Sequence, residues 1–168
     1  VSAPHSMSIL FLDMDGVMNS TKFMVAQGAA GKWDHPRWPC DDWSNQIDPI
    51  TVGLLSEIVV RTGAKIVISS SWRIARTQDH IWRDLRRHGF VGEVIDVTPH
   101  CSGEPRAFEI AAWLKHRAED IISFAIVDDD LDAGFGMEDK FVRTMHTDGL
   151  TRSDTDKLIA ILCRCQTE

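Results

Sequence analysis

Cysteine is scarce and unpatterned in this chain. Its four residues, Cys40, Cys101, Cys163 and Cys165, include no C-x-x-C pair, so neither a zinc site nor a disulfide framework is indicated. A chain of 168 residues can bury a sizeable core without cross-links, and reduced thiols in a cytosol are the expected state. No apolar run approaches the roughly 20 residues of a membrane-spanning helix, so the expectation is a soluble, cytoplasmic protein with no membrane partner. Basic residues are outnumbered, 18 against 25 acidic, for a formal charge of −7. A broadly cationic surface for unspecific nucleic-acid capture is thereby excluded, while a local basic groove is not. The seven histidines are scattered without H-E-x-x-H or comparable metal spacing, and there is no internal repeat.

What remains is an ordinary globular mixture, 43% hydrophobic and 26% charged, sized for a single domain. Residues 1–6, ahead of Met7, are set aside as a possible appended remnant, which leaves 7–168 as the domain. Short apolar runs at Ser8–Asp13, Lys65–Ser69, Glu93–Val97, Ser123–Asp128 and Phe141–Met145 read as buried strands of a parallel sheet. Helical patterns lie between them. Asp48 as N-cap, Pro49 and the stripe Ile50, Leu54, Ile58 run to a terminating Gly63. Further helices are expected at Thr77–His88 with Ile81 and Leu85 inward, at Pro105–Arg117, and from Thr151, where Asp154 completes an imperfect capping box. Alternating strands and helices imply a doubly wound α/β sheet with helices on both faces, whose ligands bind beyond the carboxyl ends of the strands. One irregular stretch, 17–47, is long enough to be a small cap or flap.

Two strands end in acids, Asp13-Met14-Asp15-Gly16 and Asp128-Asp129-Asp130-Leu131-Asp132. In a parallel sheet these carboxylates converge on one edge, where burial without compensation is costly. A hard cation resolves the repulsion, and Mg²⁺ is favoured because it takes oxygen ligands and bridges carboxylates to phosphate. Ser69, Ser70, Ser71, Trp72 and Arg73 follow the second strand and offer hydroxyls and turn N–H groups suited to phosphoryl oxygens. Arg106 starts the third helix within reach of the same edge.

These residues resemble those of haloacid dehalogenase (HAD) superfamily phosphohydrolases. The likeness covers Phe11-Leu12-Asp13-Met14-Asp15-Gly16-Val17, Ile66-Val67-Ile68-Ser69 and Ala125-Ile126-Val127-Asp128-Asp129, with Asp132 four residues beyond Asp128. The third, basic position is normally lysine, and Arg106 is its best match, with Lys115 behind it. The Ser-Ser-Ser-Trp-Arg tract, the Asp128–Asp132 run and Asp148-Gly149-Leu150-Thr151 are similar to small HAD domains associated with RNA-repair proteins.

The resemblance implies a sheet of order 3-2-1-4-5 with at most a small cap, and a Mg²⁺-dependent phosphomonoesterase. Asp13 would be the nucleophile that forms an aspartyl-phosphate, and Asp15 the general acid and base. Ser69 and Arg106 would stabilise the transferred group, with Ser70 and Arg73 as further substrate ligands. Asp13, the Asp15 carbonyl, Asp128 and Asp129 would hold the metal. The substrate would be a nucleotide or a polynucleotide end. Trp33, Trp38 and Trp43 in the long loop leave two readings open, stacking on such a substrate, with Trp38 the binding candidate, or a cluster that anchors the loop. Trp72, Trp82 and Trp113 read as packing, and Arg83, Arg86, Arg87 and His88 as a solvated helix face, with a phosphate-backbone contact as the alternative. A catalytically silent interaction module and a phosphotransferase with an acceptor other than water are the alternatives.

Overall fold

The structure, a computed structural model, describes residues 6–29, 43–117 and 120–163. Five strands, β1 (Met7–Leu12), β2 (Lys65–Ile68), β3 (Val94–Val97), β4 (Ile121–Asp128) and β5 (Phe141–Arg143), form one parallel sheet in the order β3-β2-β1-β4-β5. The strand order agrees with the sequence expectation. Side chains alternate across the pleat, so Leu10, Leu12, Ile66, Ile68, Ala125 and Val127 enter one apolar cluster while Ile9, Phe11, Val67 and Ile126 enter a second. Burial of both faces is why these strands read as unbroken apolar runs.

Helices α2 (Pro49–Thr62), α4 (Gln78–Arg87) and α6 (Arg152–Cys163) pack into the first cluster, and α5 (Arg106–Lys115) covers the second through Ile110 and Trp113. The Asp48 carboxylate accepts from the Ile50 N–H at 2.9 Å, and Gly63 closes α2 in the left-handed region at φ 69°. The stripe of α2 needs a correction. Ile50 is 74% exposed, and the buried face is Val52, Leu55, Ile58 and Val59. Ile50 falls in the first turn, on the outer side. Thr151 and Asp154 do form a reciprocal capping box at the start of α6, with bonds of 3.1 and 3.3 Å.

The stretch after β1 holds more structure than expected. Helix α1 (Thr21–Ala29) begins where Ser20 Oγ accepts from the Phe23 N–H, and a 3₁₀ turn spans Trp43–Gln46. The apolar residues Phe23, Met24, Val25 and Ala26 are consecutive rather than periodic, so no amphipathic signal announces α1. The short helix α3 (Trp72–Ala75) follows the serine tract. Among the described residues, no helix is long and apolar enough to cross a membrane.

Candidate active site

The chain leaves β1 toward β2 on one side, and β4 lies on the other, so the switch point of the sheet falls between β1 and β4. A crevice opens at such a point beyond the strand ends, and both acidic runs lie there. Asp13 extends the ladder, its N–H donating to Val127 O at 3.1 Å, and is 5% exposed. Arg106 donates from Nη1 to Asp13 Oδ1 at 3.0 Å and also to Ser69 O. Burial pushes the Asp13 carboxyl up to about 6, against the opposing pull of Arg106, the Ser70 hydroxyl and the Met14 N–H.

Asp128 is 1% exposed, and its carboxyl is pushed up to about 8 by burial and then by the charge of Asp13. One oxygen, Oδ1, accepts from the Asp130 N–H at 2.9 Å, whereas the buried Oδ2 has no hydrogen-bond donor. Arg106 Nε approaches that oxygen only to 3.5 Å. Asp129 is half-buried, with a carboxyl raised chiefly by burial. Oxygens of Asp13, Asp128 and Asp129 lie within 4.8 Å of one another. An all-oxygen donor set with one orphaned buried oxygen and mutual repulsion fits a hard divalent cation. Gly16 makes room for the Asp129 carboxylate: its φ is 73°, and a Cβ there would meet Asp129 Oδ2 at 2.4 Å.

Arg106 owes its position to a neighbouring turn. The residue before it, Pro105, has no side chain able to cap α5, and Asp132 Oδ2 instead accepts from the Arg106 N–H at 3.0 Å. Asp132 thus caps a helix and stands outside the carboxylate cluster. Lys115 occupies the opposite end of the ten-residue helix, about 14 Å away by helical rise, which leaves Arg106 as the cation at the site.

The carboxylate of Asp15 turns away from the cluster. Its Oδ1 accepts from Asn19 Nδ2 at 2.9 Å and its Oδ2 from Trp72 Nε1 at 3.0 Å. Asn19 also accepts from the Gly16 N–H at 2.9 Å and so closes the loop. Neither Asn19 nor the polar edge of Trp72 was expected from the sequence. A buried indole N–H needs an acceptor, and the convergence of Asp15 and Trp72, 57 positions apart, is tertiary. The segment that includes Gly149 braces the same loop, because Leu150 N–H donates to Val17 O at 2.8 Å. A side chain at Gly149, φ 70°, would meet Asn19 O at 3.0 Å.

Ser69 is fully buried, with Oγ lacking any partner, and Ser70 turns its hydroxyl to Asp13. Arg73 requires a correction. Its side chain is 4% exposed, and its guanidinium donates to the carbonyls of Ser69, Ser70, Thr98 and Pro99 and to Glu109. With its donors taken by the protein, Arg73 is a clamp under the serine tract rather than a substrate ligand. Trp33 and Trp38 lie outside the described residues. Trp43 is 5% exposed and packs edge-on against Trp72 with ring centroids 4.7 Å apart, so stacking on a substrate is replaced by loop anchoring at that position.

The model of one family, the HAD domain in Swiss Army Knife RNA repair proteins, matches residues 9–155. The chain belongs to this family. Comparisons with curated proteins and with solved structures each gave no significant match. For this HAD domain a phosphohydrolase-type function follows in general terms, and its aspartate cluster is one that could bind a metal.

Proposed function

We propose that the HAD domain is a Mg²⁺-dependent phosphomonoesterase that works through an aspartyl-phosphate on Asp13, with a nucleotide or a polynucleotide end as substrate. One observation carries the reading: Asp13 is buried against the Arg106 guanidinium, beside Asp129 and beside Asp128, whose buried Oδ2 has no hydrogen-bond donor. A solvated set of turn residues has no reason to leave Asp128 Oδ2 without a donor. The RNA-repair association of the family supports a nucleic-acid substrate.

In this reading Asp13, Asp128, Asp129 and the main-chain carbonyl of Asp15 hold the cation. When bound, the metal neutralises the acidic cluster so that an anionic phosphate can approach a carboxylate. Asp13 attacks phosphorus in line, and the leaving oxygen takes a proton from Asp15. Asp15 then accepts a proton from the water that cleaves the acyl phosphate, and Asp13 is restored. Arg106 stabilises the equatorial oxygens and holds Asp13. The unpartnered Ser69 hydroxyl and the free edge of the tract receive the phosphoryl group, and Ser70 orients Asp13. Trp38, outside the described residues, is the candidate to stack on a base.

The test is hydrolysis of 4-nitrophenyl phosphate by wild type and Asp13→Asn, with EDTA and with added Mg²⁺. Turnover should need Mg²⁺ and fall at least about 10³-fold in the variant, while circular dichroism stays unchanged. A folded variant within tenfold of wild type would remove Asp13 from the nucleophile role. A wild type inert with Mg²⁺ toward this ester and toward phosphorylated oligonucleotides would favour the silent module.

A further inference from the structure

Trp72 is buried and packed against a second tryptophan. Its ring is 3% exposed and packs edge-on against Trp43, at an interplanar angle of 77°. The Arg76 guanidinium lies 5.4 Å from the centre of the Trp43 ring and pairs with the buried Asp84. The Trp72 main-chain N–H donates to Ser70 Oγ at 3.3 Å, and Ser70 in turn bonds Asp13. From this buried ring the Nε1–H donates to Asp15 Oδ2 at 3.0 Å.

Asp15 itself is exposed. A solvent-facing aspartate samples several rotamers, yet proton exchange with a leaving oxygen needs one orientation within hydrogen-bond reach. Packing against Trp43 would be served by any large apolar side chain. The indole N–H adds what an apolar ring cannot supply, a hydrogen bond to this carboxylate. Asn19 takes the other oxygen, so two donors on two oxygens fix the carboxylate plane.

We propose that Trp72 is a positioning residue, whose indole N–H, with Asn19, holds the Asp15 carboxylate in the orientation from which it exchanges a proton with the substrate's leaving oxygen. This rests on the phosphohydrolase reading above. Substitution by phenylalanine keeps an aromatic ring against Trp43 while removing the donor together with part of the ring volume.

The deciding experiment compares kcat/KM for phenyl phosphate and 4-nitrophenyl phosphate in wild type and Trp72→Phe. The two esters are close in shape, but nitrophenolate departs without a proton and phenolate does not. Trp72→Phe should lose about tenfold more on phenyl phosphate than on 4-nitrophenyl phosphate, at a melting temperature near wild type. Equal losses, or none, in a folded variant with an active wild type would overturn the positioning role and leave the hydrolase reading standing. A wild type inert with Mg²⁺ toward both esters and toward phosphorylated oligonucleotides would overturn the two together. A second measurement does not depend on Trp72→Phe folding. In the ¹⁵N-labelled full chain, Asp15→Ala should shift the Trp72 indole N–H resonance upfield and speed its exchange with water. An unmoved resonance would overturn the hydrogen bond on which the proposal stands.

Discussion

Burial raises the carboxyl of Asp13 to about 6 and that of Asp128 to about 8, from an ordinary value of 3.8, and the sign of that shift has a thermodynamic consequence. A carboxyl with a raised folded-state pKa favours the folded chain while protonated. Its contribution is complete below about pH 4 and is lost as pH rises through about 6 for Asp13 and about 8 for Asp128. Asp128→Asn in EDTA should therefore melt higher than wild type at pH 8, by about 5 °C, and the margin should narrow toward pH 5. Melting curves across that range check it. A margin independent of pH would mean that the buried charge is not the cause. Mg²⁺ should raise the wild-type melting point at pH 8 and leave the variant much less affected, since a cation restores the compensation that the orphaned oxygen lacks.

At the scale of the element, α5 delivers the cation of the site and cannot cap itself. Pro105 has no side-chain acceptor, and the cap arrives from Asp132 in the turn after β4. One carboxylate thereby fixes the first turn of the helix and ties Arg106 to the strand that carries Asp128. Asp132→Ala should cost about 1 kcal/mol in urea unfolding. It should also lower kcat by about tenfold, because Arg106 sits on the first helical residue and shifts with it. Asp132→Asn, which can still accept the bond, should recover most of the stability. Loss of stability with kcat intact would show that Arg106 is held by Asp13 and Asp128 alone.

For the whole molecule the proposed site lies on the sheet edge, and the cover that the described residues give it is slight. Helix α1 is tethered by Thr21 N–H to His146 O at 2.9 Å and by the Lys22–Asp148 pair, and most of its side chains face solvent. In the proposed reading, an edge that the described residues cover so little suits a bulky leaving group better than a small metabolite that needs enclosure. Nucleotide or oligonucleotide phosphates should exceed small sugar phosphates in kcat/KM, and Trp38→Ala should lower that preference, a stacked base being worth about 1–3 kcal/mol. Trp43→Ala should instead reduce stability, because its ring is part of the core. A sugar phosphate preferred by about tenfold, with Trp38→Ala unchanged, would sink the idea.

Strand order is legible in the sequence only through the family resemblance, whereas the alternation of helix and strand and the placing of Asp13, Asp15, Asp128 and Asp129 at one edge are determined by the sequence itself. Those features rest on local signals: continuous apolar runs for strands buried on two faces, Asp-Pro and Gly at the ends of α2, and acids directly after two strands. Decisions between residues distant in the chain belong to the tertiary structure. Arg73 and Arg106 are both arginines near the same edge, and only packing shows that one is saturated by carbonyls and Glu109 while the other reaches Asp13. Asp129 and Asp132 differ by three positions, yet one joins the cluster and the other caps α5. Trp72 reads as packing because apolar area dominates its side chain, and the direction of its single N–H is set by Trp43 and by the close approach of the loop after β1. Burial and hydrogen-bond direction depend on which distant segments meet, and no local pattern encodes that.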